Sequence, residues 1–147
     1  MSPRLEACKD TWHEQFRRSH SAIGTLSNKG EPMSVSVTER KAALAEEYNA
    51  HRQALLQGDA ARAWQHLERA HIIAQPVLRE HLRSHWVMLR LALRERDGAE
   101  VAGQAIRLVL AVPGNLSGRL PIGNVGRARV NAFRQMPVPL DLVKFLQ

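Results

Sequence analysis

Two helical spacings in the middle of this chain put metal-ligating side chains on a common face. Glu68-x-x-His71 sets a carboxylate and an imidazole one turn apart, and His81-x-x-x-His85 does the same for two imidazoles, with Met88 nearly a turn further on. Five of the seven histidines fall between residues 51 and 85, a density that points to a shared task. A chain reversal at Gln75 and Pro76 sets His71 opposite His81 or Leu82, and Glu68 opposite Ser84 or His85. One carboxylate and three imidazoles then converge on one seam between helices, a donor set suited to zinc, iron, nickel or copper. Upstream, Glu47-x-x-x-His51 is a third pair; a turn at Gly58 sets His51 opposite His66 and brings Glu47 within a turn of His71. These two serve either as further ligands or as the acceptors that fix imidazole tautomers. The expected metal site is therefore Glu68, His71, His81 and His85, with His51 and Glu47 in support.

A Glu–His pair one turn apart is by itself an ordinary surface salt bridge worth about tenths of a kcal/mol. Three pairs, two Glu–His and one His–His, on three consecutive helices, in register across both turns, make the case for a shared site. Other chemistries lack their parts. Cys8 is the single cysteine, and no Gly-x-Ser-x-Gly nucleophile turn is present. One Glu-x-x-His motif in the helices falls short of the two that a di-iron carboxylate bundle needs, so a mononuclear site is favoured. Gly123-Asn124-Val125-Gly126 lacks the lysine and the preceding strand of a phosphate-binding loop and reads as a turn. A binding role is favoured over catalysis; an enzyme would require an open coordination position.

The elements that must position these residues are all helical. A Ser36-x-x-Glu39 capping box opens a helix over 39–57 that stops at Gly58. Asp59 caps a second helix reaching 75, and Pro76 sits where the chain reverses. A third helix spans 77–96 and is broken by Asp97-Gly98; a fourth covers 99–112 and ends at Pro113-Gly114. The expected fold is all-α: four antiparallel helices as two tetratricopeptide-like hairpins, with an irregular Pro/Gly-rich C-terminal tail packed on the bundle. Residues 33–112 form the helical domain. Residues 113–147 form a wrapping tail of that domain, with a short last helix from Leu140. Residues 1–32, turn-rich towards their end, are expected to be a non-native or disordered extension, with Met33 as the natural start.

The net charge of +7 raises the question of nucleic acid. The excess is thinly spread, densest around Arg119, Arg127, Arg129 and Arg134, and no nucleic-acid motif accompanies it, so a solvated basic surface is expected. One cysteine permits no intramolecular disulfide, no apolar run approaches the length of a membrane span, and the N-terminus lacks the apolar core of a signal peptide. A cytoplasmic protein is expected, with a metal ion and a protein as candidate partners.

Residues 58–70 resemble the first helix of a tetratricopeptide unit, with Trp64 and Leu67 in place, and residues 96–101 echo residues 57–62. In such repeats the positions of Glu68, His71, His81 and His85 are normally small or aromatic, so these side chains need a compensating partner. The alternative function is a protein–protein interaction module with structural histidines. The stretch from Ala63 to Ile72, the run His81-x-x-x-His85-Trp86-x-Met88-Leu89-Arg90, the tail Gly118 to Gly126 and Met136-Pro137-Val138-Pro139 resemble a family of short bacterial all-helical proteins, domain of unknown function family 3703, over about 38–142. The resemblance implies no established activity; it implies a setting beside heavy-metal resistance genes, hence a role in metal handling or resistance.

Overall fold

The computed structural model describes residues 35–116 and 123–146, so the expectations for residues 1–32 lie outside it. Four α-helices and a final 3-10 helix are present, and no strand occurs among the described residues.

Helix α1 spans Val37–Leu56, and the Ser36 hydroxyl accepts a hydrogen bond from the Glu39 amide at 3.0 Å, as its capping position requires. It buries Arg40, Leu44, Glu47, Tyr48, His51 and Ala54, one stripe at helical spacing of which half is polar. The helix closes on Gly58, which takes φ +73° while its amide donates to Leu55 O and the Asp59 amide donates to Ala54 O. Asp59 then caps α2, Ala60–Ala74, by accepting from the Arg62 amide at 2.9 Å.

Helix α2 packs against α1, against α3 (Leu78–Glu95) and against the 3-10 helix Leu140–Leu146. Its C-terminal third is buried on every side, from Ala70 to Ala74. Leu67, Ile72 and Ile73 here and Met88 on α3 are almost wholly enclosed, each contributing about 1.5–3 kcal/mol by leaving water.

Helix α3 buries His81, Ser84, His85, Met88, Leu91 and Ala92 along one stripe. It ends one residue before the expected break. Arg96 takes the left-handed conformation at φ +56°, its amide donates to Leu93 O, and the Asp97 amide donates to Ala92 O. Asp97 accepts from the Glu100 amide and opens α4, Gly98–Leu116. The closure at Gly58-Asp59 is thus repeated at Arg96-Asp97, and Gly98 is the first residue of α4 and not the breaker.

A second correction concerns the end of α4, which runs through Pro113 to Leu116 rather than stopping at Pro113-Gly114. A proline so close to a helix terminus removes a hydrogen bond from only the last turn. The tail returns to the helices. Leu142 and Phe145 of the 3-10 helix are buried, and the Arg40 guanidinium donates to the carbonyls of Ile73 and Phe145.

Candidate metal centre

The end of α2 and the start of α3 bring three imidazoles together. His71, His81 and His85 are 2–3 % exposed, with ring centroids 4.8 Å (His71–His81), 4.6 Å (His71–His85) and 4.8 Å (His81–His85) apart. One nitrogen from each can be chosen so that all lie within 4.8 Å of one another. A tetrahedral ion with bonds of about 2.0–2.1 Å holds its nitrogens about 3.3 Å apart, so small ring rotations would close the set.

Two of the rings are oriented by neighbours that also settle their tautomers. The Ser84 hydroxyl donates to the His81 carbonyl at 2.7 Å, so its oxygen accepts from His71 Nδ1–H at 3.0 Å. The Gln104 amide nitrogen donates to Glu100 Oε1 and to the Gly126 carbonyl, each at 2.8 Å, which turns Gln104 Oε1 towards His85 Nδ1–H at 2.8 Å. Both rings therefore keep a lone pair on Nε2. His81 Nδ1 is buried and has no hydrogen-bond partner, a polar atom for which an ion would supply the missing partner.

Electrostatics keep the trio neutral. Burial pushes His85 down to about 3, helped by His81 and Arg107 and opposed by the Gln104 hydrogen bond. Burial alone takes His81 to about 4. His71 falls well below the ordinary imidazole range through burial, then through its neighbours His85, His81 and Arg107. Near neutral pH all three are unprotonated, the form that ligates metals.

The other three expected ligands have neighbours of their own. Glu68 is not in the group of converging nitrogens and faces Arg127 Nη1 at 3.6 Å. Arg127 also meets the fully buried Glu100 at 3.3 Å and lies 3.7 Å from the centroid of the Trp64 ring. Glu47 pairs with His66 at 2.8 Å and Arg69 at 2.6 Å, and His51 Nδ1–H donates to the Ala63 carbonyl at 3.1 Å. The expected placement of Glu47 beside His71 thus gives way to a contact with His66, within the seam between α1 and α2.

Residues 38–146 match DUF3703, a family of proteins of unknown function. The chain belongs to that family. No curated protein and no solved structure matches it.

Within this family member, the residues that hold the centre were not all visible as site residues beforehand. Gly126 is one. At φ +80° its backbone lies against the His71 ring, where an added Cβ would sit 2.7 Å from Cδ2 and 2.9 Å from Cγ and Nε2. Gln75 clamps the same loop by accepting from the Gly123 amide at 3.1 Å and donating to the Asn124 carbonyl at 3.3 Å. The available signal was Glu100 and Gln104, two polar residues one turn apart in a mostly apolar helix; both are completely buried. Beside the imidazoles opens a cavity of about 360 Å³, lined also by Arg107, Leu110, Ala111, Asn124 and Phe133. Among the described residues no helix is long and apolar enough to cross a membrane. Of the tail cations, Arg127 is drawn inwards and Arg129 pairs with Asp97 at 3.0 Å.

Proposed function

We propose that this protein binds one transition-metal ion through His71, His81 and His85, and that metal handling is its role. The observation that carries this reading is the meeting of three buried, neutral imidazoles, two with Nδ1–H held by protein oxygens and the third with an unpartnered nitrogen. Oxygens accepting from Nδ1–H are the usual partners of metal-bound histidines. Zinc, copper, nickel and iron all accept imidazole, and three protein ligands leave a coordination position for something else. Glu68, Glu47 and His51 are read as acting in the surrounding packing.

The four helices are read as two antiparallel, tetratricopeptide-like hairpins; α1 against α2, α3 against α4 and the two alike closures support that reading. An interaction module with structural histidines would leave His81 Nδ1 without a partner, so convergence of the imidazoles favours the metal. Zinc titrated by calorimetry into untagged, chelator-treated protein should saturate at one ion per chain. The His71→Ala/His85→Ala variant should show no such event. Equal uptake by both proteins, or none by the wild type, would remove the metal role and leave the interaction module.

A further inference from the structure

We propose that the three-histidine centre completes its coordination with a small organic anion, a carboxylate on a compact apolar body, held in the adjoining cavity against Arg107. This rests on the metal reading above.

Charge is the first argument. Three neutral imidazoles contribute no negative charge, so a divalent ion among them would be uncompensated in a buried place. Arg107, which stays charged at any ordinary pH, lines the same cavity and is close enough for its charge to disfavour protonation of His71 and His85. The nearest carboxylates offset the two arginines and not the ion: Glu68 and Glu100 face Arg127, and Glu100 also acts on Arg107. A buried charge needs a counter-charge or a ligand, and the group supplying it must come from outside the chain.

Space is the second argument. A hydroxide or a halide would fill little of about 360 Å³, a volume at the lower end of those that take small organic ligands. The walls sort the occupant's parts. The imidazoles and Arg107 form a polar side, while Leu110, Ala111 and Phe133 form an apolar one. Phe133 is 78 % exposed and Leu110 46 %, so both leave apolar surface accessible to an occupant. Part of the Arg107 guanidinium is anchored: Nη2 donates to the Arg127 and Val130 carbonyls. The cation is thereby fixed in position before any ligand arrives.

The probe is benzoate, titrated by calorimetry into zinc-loaded and zinc-free wild type, with acetate and benzylamine as comparisons. Benzoate should bind the loaded protein at least about tenfold more tightly than the zinc-free one, the coupling expected when a charged group is directly met. Acetate should bind more weakly than benzoate, and protonated benzylamine not at all. Arg107→Gln should take up zinc at least as tightly, since a neighbouring positive charge is removed, and lose about tenfold in benzoate affinity, a charge-assisted contact being lost. The wild-type comparison stands even if that variant fails to fold. Absence of zinc uptake overturns the metal reading and this inference with it. Stoichiometric zinc with benzoate binding equal in loaded and zinc-free protein overturns this inference alone, as does a folded Arg107→Gln whose benzoate affinity is unchanged.

Discussion

Replacing Gly126 by alanine tests whether the returning loop seats His71. Two costs combine at this position. The backbone is left-handed, φ +80°, and the new Cβ would lie 2.7 Å from the nearest ring atom of His71. Gly58 separates the two, because it has a similar φ of +73° and nothing within 4 Å of an added Cβ. Gly58→Ala should therefore report the backbone cost alone, about 1–2 kcal/mol. Gly126→Ala should add an overpacking cost of about 1–3 kcal/mol, for a total near 2–5 kcal/mol. Urea denaturation of the metal-free proteins at pH 7 measures both. Displacement of the ring should also weaken zinc binding about 10–100-fold, the loss typical when the surroundings of a ligand are disturbed, whereas Gly58→Ala should leave it unchanged. If the two variants prove equally destabilised and bind zinc alike, the loop does not bear on His71 and the account of the centre is wrong at that point.

Gln104→Leu removes the acceptor of His85 Nδ1–H and a donor to Gly126 and Glu100; a loss of about 1–3 kcal/mol in urea stability is expected, together with weaker zinc binding by titration. Stability of the metal-free protein should fall with acid. The folded state holds His81 and His85 at about 4 and about 3 against an unfolded value of about 6.5, so the unfolded chain binds more protons. The stabilisation is complete above about pH 6.5 and is lost as pH falls through about 4 and then about 3; a urea midpoint equal at pH 7 and pH 5 would contradict this. Arg96→Gly should raise stability by about 1 kcal/mol, since glycine takes the left-handed position that arginine occupies under strain; a thermal midpoint that falls would show that Arg96 has a compensating contact.

Much of the fold could be read locally. Ser36 and Asp59 cap the helices expected of them, and the i,i+4 spacing with the turn after Ala74 goes with His71, His81 and His85 lying together. These are short-range rules, set by helical pitch and turn chemistry. The errors arose where a nearby residue misled or a distant one intervened. Asp97-Gly98 looked like the break, yet the chain turns at Arg96, because a left-handed arginine leaves Asp97 free to cap α4. Pro113 looked like a stop and is absorbed near the end of α4. Glu68 meets Arg127, which arrives from the tail, and no local pattern announces that return. The same holds for Gly126 and for Gln104, whose partners lie across long stretches of sequence. Helix spacing brought the three histidines into view; the groups that orient them depended on the tertiary fold.

The most direct measurement is anomalous diffraction at the zinc edge from crystals of the untagged, zinc-loaded protein. The account predicts a single strong peak about 2.0–2.1 Å from an imidazole nitrogen of each of His71, His81 and His85. No peak among these rings, or the principal peak at Glu47 and His66, would contradict it.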